Sequence, residues 1–186
     1  DVALSGGNFH GEPIGMVMDY LKVALSELGA ISERRTFRLL DAKLNGGLPP
    51  MLVDSPEAAG LNSGLMMPHY TAASLVLENQ TLAHPDSVHS LPTSGGQEDH
   101  NANAMTAARH CWRILTNTRH VLAIELYTAA RAVDLRMRQM PQCRLGKGTH
   151  HLWSLVREKV PYRAGDGLWA PEIEIIQREI QSGYLN

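Results

Sequence analysis

The sequence is poor in cysteine and has no long apolar run. Its two cysteines among 186 residues, Cys111 and Cys143, lack the spacing of a metal site, so we expect free thiols. No apolar stretch approaches the roughly 20 residues that a membrane-spanning helix needs. Residues 1–10 lack the basic and apolar parts of a signal peptide. We therefore expect a cytoplasmic protein without a membrane partner.

The chain also lacks an excess of charge and the short motifs of several enzyme classes. The formal net charge is −2, which gives no electrostatic reason to expect a nucleic acid as partner. Nine histidines are present, but no His-Glu-x-x-His motif occurs among them, and the adjacent His150 and His151 would diverge by about 100° on a helix. We predict no metal. Neither a Gly-x-Ser-x-Gly motif nor a Walker-type phosphate loop is present.

Apolar residues that recur at intervals of three and four positions indicate helices. The expected helices are residues 13–41, 65–82, 101–140, 149–159 and a last one that starts at Ala170 and stops before Gly183. Alternating β-branched runs are nearly absent, so the sequence predicts an all-α fold, a bundle of long helices. We expect residues 1–140 to form the central part of this bundle with active-site loops, and residues 141–186 to form a linker and short carboxy-terminal helices.

A glycine-hinged loop at residues 91–101 concentrates polar side chains between two of these helices, with Gln97, Glu98, Asp99 and His100 in a row. A solvated surface loop could carry such a run. A carboxylate at position 98 could also stabilise the start of the long helix that follows. Alternatively, if the loop lines a cavity, Glu98 could bind a cationic amine or an imidazole N–H, and burial would raise its pKa.

Ordered motifs along the whole chain resemble the carboxy-terminal part of the aromatic amino-acid ammonia-lyases and aminomutases, and the histidine-specific members above all. The motifs are Ser5-Gly-Gly-Asn-Phe-His-Gly-Glu-Pro13, Glu27-Leu-Gly-Ala-Ile-Ser-Glu-Arg-Arg35, Gly47-Leu-Pro-Pro50, Asn62-Ser-Gly64, Ala83-His-Pro85, Pro92-Thr-Ser94 and Gln97-Glu-Asp-His100. The first residue, Asp1, is not methionine and opens as if inside a protein. We therefore expect a fragment, a processed product or one subunit of a split enzyme.

The resemblance implies an all-α ammonia-lyase-like fold and a homotetramer whose active sites combine several subunits. It implies non-oxidative loss of ammonia from an aromatic amino acid, which for histidine gives urocanate. It also implies a 4-methylideneimidazol-5-one group formed from an internal Ala-Ser-Gly. That tripeptide does not occur in this chain. The resemblance therefore places the group in a companion amino-terminal chain, without which this chain should not turn over its substrate.

Site residues also follow from the resemblance. Glu98 would be the catalytic residue that contacts the substrate, with Phe9 and Gln97 as further substrate-binding residues and Asn8 and His10 as supports. A glutamate at position 98 favours a histidine-type substrate. A tyrosine or phenylalanine lyase, an aminomutase and a non-catalytic helical scaffold remain alternatives. The segment Asn101-Ala-Asn103 departs from the family's usual sequence, which puts fine substrate contacts in doubt.

Overall fold

A computed structural model describes residues 1–183 and forms one helical bundle. Its five α-helices are α1 (Glu12–Leu40), α2 (Met66–Leu82), α3 (Ala104–Gln139), α4 (Lys147–Lys159) and α5 (Trp169–Ser182). Short 3₁₀ turns lie at Pro50–Leu52, Pro56–Ala58 and Ser94–Gly96, and no β-strand occurs within the described part of the chain. The all-α prediction is confirmed, and each predicted helix is present within a few residues of its expected bounds.

Side-chain contacts fix the directions of the three long helices. Ser26 of α1 donates to the carbonyl of Asn79, whereas Glu33, further along α1, contacts His69 near the start of α2. These two helices therefore run in opposite directions. Ser32 of α1 donates to Glu125 of α3, and the Thr118 hydroxyl donates to the carbonyl of Leu25. The residue number rises along α1 in the same direction as along α3, from Leu25 and Thr118 to Ser32 and Glu125, so these two helices run in parallel.

Helix α1 packs on its neighbours through small and polar residues rather than through its apolar ones. Its buried residues are Gly15, Asp19, Lys22, Ser26, Gly29, Ser32, Glu33, Thr36 and Leu40. A Cβ added at Gly29 would lie 3.4 Å from both the Asn79 amide nitrogen and the Thr118 hydroxyl, so glycine allows the three helices to approach closely. Several of the regularly spaced apolar residues of α1 are instead more than half exposed, namely Ile14, Val17 and Ile31.

The apolar core lies on the other side of the molecule, around α3. It combines residues from all the later helices and the loop before α2: Leu48, Leu52, Leu65, Ala72, Val76, Val121, Ile124, Tyr127, Leu135, Val156, Val160, Trp169, Ile173 and Ile176. Residues on both sides of position 140 share this core. The division of the chain into residues 1–140 and 141–186 stays a prediction, because a shared core does not test it.

A buried arginine joins the loops to α3. The guanidinium of Arg131 donates to the carbonyls of Leu52 and Arg163 at 2.7 Å each, and it lies 4.9 Å from the centre of the Tyr162 ring. Only 2% of its surface is exposed. Because its donors are used by carbonyls of two distant segments, Arg131 fixes both segments on the long helix.

Candidate functional site

Two loops meet at the end of the bundle where α1 and α3 begin, and His10 joins them. The backbone N–H of Glu12 donates to Nδ1 of His10 at 3.2 Å, so this nitrogen carries the lone pair. The Nε2–H of His10 then donates to the carbonyl of His100 at 3.1 Å. The two imidazole rings stack with centroids 5.5 Å apart. The segment that carries Phe9 is thereby tied to the loop that carries Glu98.

Close packing of the helix starts supports this junction. A Cβ added at Gly15 would lie 3.0 Å from the carbonyl oxygen of Ala102, so a larger residue would push the two starts apart. The Glu12 carboxylate lies 3.8 Å from Nε2 of His100. One of its oxygens is buried and has no hydrogen-bond donor among residues 1–183.

The five residues predicted for the site all lie at this junction, and all are exposed. Phe9 is 89% exposed, and its ring lies edge-on to the ring of His10, with centroids 6.5 Å apart. Asn8 adopts a left-handed backbone conformation with φ of 62°. Gln97 and Glu98 lie in the turn that follows Gly96, and His10 forms the junction itself. The chain thus gathers these residues at one end but does not enclose them, and their roles stay predictions.

The position of Glu98 excludes one of its alternative roles. Its backbone N–H and carbonyl pair with Thr93, at 3.3 and 2.8 Å, which closes a tight loop. Helix α3 starts only at Ala104 and has no acidic residue in its first turn. The interpretation of Glu98 as a carboxylate that stabilises the helix start is therefore wrong. The predicted helix start at residue 101 was early because Asn101, Ala102 and Asn103 belong to the loop.

A buried charge cluster near the site was not foreseen from the sequence. The Nζ of Lys22 contacts Asp19 at 2.7 Å, Asp86 at 2.6 Å and the carbonyl of His84 at 2.8 Å, and its side chain is 0% exposed. Asp86 also contacts Nδ1 of His110 at 2.9 Å. The three donors of the ammonium are matched by three oxygens, as a buried lysine requires.

Asp19 links this cluster to the backbone of the following segment. Its carboxylate accepts the N–H groups of Asp86 at 3.1 Å and Ser87 at 2.8 Å. Burial by itself would raise the pKa of Asp19, but the hydrogen bonds from Lys22, Ser87 and Asp86 outweigh burial and lower this pKa well below the ordinary range of a carboxyl group. Residues 84–87 are thus fixed on α1 by charge.

A cleft of about 620 Å³ lies away from this junction, between the starts of α2 and α5 and the middle of α3. Its walls include Met67, His120, Ile124 and Trp169, and Asp166 holds one rim by accepting the N–H groups of Ser63 and Gly64. None of the five predicted site residues lines it.

Within residues 1–183, no group of three or more His, Cys, Asp or Glu side chains is arranged to hold a metal ion. In the same range, no helix is long and apolar enough to cross a membrane.

The site region therefore combines three long helices, packed in parallel and antiparallel directions, with the loop of Glu98 and the segment of Phe9 joined at one end. A family model described as aromatic amino acid lyase matches residues 1–158, and the chain belongs to this family. The family predicted from the motifs is therefore confirmed.

Individual relatives and solved structures are consistent with this family. The chain is 47% identical to a histidine ammonia-lyase of Natranaerobius thermophilus over 98% of its own length, which is 34% of that protein. A crystal structure of histidine ammonia-lyase from Trypanosoma cruzi matches with a TM-score of 0.89 and 38% identity, over 98% of this chain and 34% of the other. Tyrosine aminomutase from Streptomyces globisporus matches with a TM-score of 0.91 and 34% identity, over 100% and 34%. The chain thus spans about a third of the length of these relatives.

Proposed function

We propose that this chain is the carboxy-terminal part of an ammonia-lyase that converts L-histidine to urocanate and ammonia. The observation that carries the proposal is the junction at His10, which ties the segment of Phe9 to the loop of Glu98 in a chain of the aromatic amino acid lyase family. The name of the relative at 47% identity supports histidine as the substrate.

In this proposal the carboxylate of Glu98 contacts either the amino group or the imidazole of the substrate. A carboxylate forms strong charge-assisted hydrogen bonds with either group when it is ionised. The reaction breaks the bond between Cα and nitrogen and removes a proton from Cβ, so ammonia leaves and a conjugated acrylate remains. Phe9 and Gln97 line the substrate, while Asn8 and His10 support them. His10 does so by holding the two segments together.

The methylideneimidazolone group would come from outside this chain. Each of the four Ser-Gly pairs in this chain follows a residue other than alanine: Leu4, Asn62, Thr93 and Gln181. The exposed ring of Phe9 and the open loop of Glu98 suit a wall that faces such a group rather than its source. When bound, the group supplies the electrophile that activates the substrate.

The proposal includes partners that complete the site. A companion amino-terminal part supplies the prosthetic group, and the assembly is a tetramer in the cytoplasm. The exposed apolar residues of α1 and α2, such as Val17 and Leu77, support a larger assembly because apolar side chains in contiguous patches favour burial.

An aminomutase is the second candidate. The structural match to a tyrosine aminomutase favours it, since its TM-score is as high as that of the histidine ammonia-lyase. Such an enzyme would return the amine to the β-carbon and accumulate a β-amino acid instead of ammonia. A non-catalytic scaffold would give neither product.

The test is turnover by the full-length protein that contains this segment, with L-histidine, L-tyrosine and L-phenylalanine as separate substrates. We expect growth of urocanate absorbance and release of ammonia with histidine, and at most a small fraction of that rate with the other two. Accumulation of a β-amino acid would identify the aminomutase. Absence of any product from all three would contradict the lyase proposal.

A further inference from the structure

The loop that presents Glu98 is closed at its base by hydrogen bonds. The loop leaves the bundle at Leu91 and returns at Asn101, and Thr93 pairs with Glu98 through two backbone hydrogen bonds across its tip. Gly95 and Gly96, which have positive φ angles, form the turn. A loop with two glycines and exposed side chains depends on its base for a defined position.

Asn101 makes the first set of base contacts. Its backbone N–H donates to the hydroxyl of Ser90 at 2.8 Å. Its side-chain amide donates to the carbonyl of Leu91 and lies 3.4 Å from the hydroxyl of Thr93. The residue on the returning side of the loop thereby holds three residues on the leaving side.

Asn103 makes the second set, directly before α3. It has a left-handed backbone with φ of 50°, which asparagine tolerates better than most residues, and its side chain does not cap the helix. The side-chain amide instead donates to the carbonyl of His89 and lies 3.5 Å from the carbonyl of Asp86.

Asp86 continues the chain of contacts to α1. It is held by Lys22 at 2.6 Å, and its N–H is held by Asp19 at 3.1 Å. The contacts therefore form a series. Helix α1 carries Asp19 and Lys22, which hold residues 84–87, and the segment that follows is joined through the two asparagines to the loop of Glu98.

We propose that Asn101 and Asn103 are positioning residues that fix the Glu98 loop through the Asp19–Lys22–Asp86 cluster. The inference rests on the proposed function, in which Glu98 faces the substrate.

The experiment measures steady-state kinetics with L-histidine for the full-length protein carrying Asn101→Ala or Asn103→Gly. Both sites are half-buried and uncharged, so we expect these variants to fold more readily than Lys22→Met, which would remove the buried ammonium shared by two carboxylates. Glycine also keeps the left-handed backbone of position 103 without strain. We expect kcat/KM to fall by about 10- to 100-fold, the range that a misplacement of about 1 Å produces. Gln142→Ala, which removes an exposed amide in the turn after α3, is the matched control and should retain full activity.

A double-mutant cycle with Glu98→Gln separates positioning from general structure. If the asparagines act through Glu98, Asn101→Ala should change kcat/KM by less than about twofold in the Glu98→Gln background, and it should affect the same parameter, KM or kcat, that Glu98→Gln affects. The melting temperature and the assembled mass should stay unchanged.

Two results would overturn the inference: full activity of both asparagine variants, or an undiminished loss in the Glu98→Gln background. A different result marks failure of the proposed function. If the unmodified protein turns over no aromatic amino acid, the proposed function fails and the positioning role fails with it. If the unmodified protein is active but Glu98→Gln leaves turnover unchanged, the lyase proposal stands, whereas the contact of Glu98 with the substrate and the positioning role are both wrong.

Discussion

Asp19 shows how one buried carboxylate stabilises the region below the site. Its folded pKa is lowered, so the ionised form stabilises the folded state at pH above the ordinary value of 3.8, and this contribution is lost as the pH falls toward the folded pKa. We predict that Asp19→Asn lowers the free energy of unfolding by about 3 kcal/mol at pH 7, because Lys22 loses a buried partner.

Urea denaturation of the full-length protein at pH 7 and near pH 3 would check this prediction. The difference between Asp19→Asn and the unmodified protein should be large at pH 7 and smaller near pH 3, where protonation begins to weaken the unmodified protein. Asp99→Asn, at an exposed carboxylate, is the control and should have little effect at either pH. A difference that is constant with pH would contradict the account.

At the residue scale, residues that lie in contiguous motifs could be singled out from the sequence, whereas contacts between residues far apart in the chain could not. Phe9, His10 and Glu98 could be predicted as site residues because each lies in a contiguous motif, and their roles stay predictions. Lys22 and Asp86 were not found because 64 positions separate them, and a lysine in a helical pattern normally lies in solvent. Only folding shows that these two side chains meet.

At the scale of elements, the turn before α2 depends on one glycine. Gly64 has φ of +58°, and a Cβ there would lie 2.4 Å from the carbonyl oxygen of Met51. We predict that Gly64→Ala lowers the free energy of unfolding by about 3 kcal/mol or more, because left-handed strain adds to a backbone clash. Gly95→Ala is the control, since Gly95 has φ of +66° and nothing within 4 Å of the added Cβ.

The control should lose only about 1 kcal/mol, the cost of the left-handed backbone alone. Urea denaturation midpoints of the two full-length variants would measure the difference. Equal shifts would show that the contact with Met51 relaxes at no cost, contrary to the prediction.

Helix existence was predictable, whereas the buried face of α1 was not. The spacing of Ile14, Val17 and Leu21 indicates a helix whichever side it buries. In this chain, α1 buries the side of Asp19 and Lys22, and it leaves the apolar side exposed. Periodicity indicates that an apolar face exists, but it does not indicate which side of the helix packs against the bundle.

At the scale of the whole molecule, the chain has a closed core on one side and open apolar and site surfaces on the other. The core around α3 buries Ile124, Tyr127 and Ile176 almost completely. In contrast, Tyr20 and Phe9 are 79% and 89% exposed. Together with coverage of about a third of its relatives, this asymmetry supports a site that is completed by the rest of the enzyme.

The most direct test of this account compares Glu98→Gln with Asp99→Asn in the full-length protein, by turnover of L-histidine and by native mass. We predict that Glu98→Gln lowers kcat/KM by about 100-fold or more with the assembly intact, because an ion pair with the substrate is lost. Asp99→Asn removes the same charge one position away and should keep most of the activity. Equal losses of turnover and assembly in Glu98→Gln, or unchanged turnover, would contradict the central claim that Glu98 contacts the substrate.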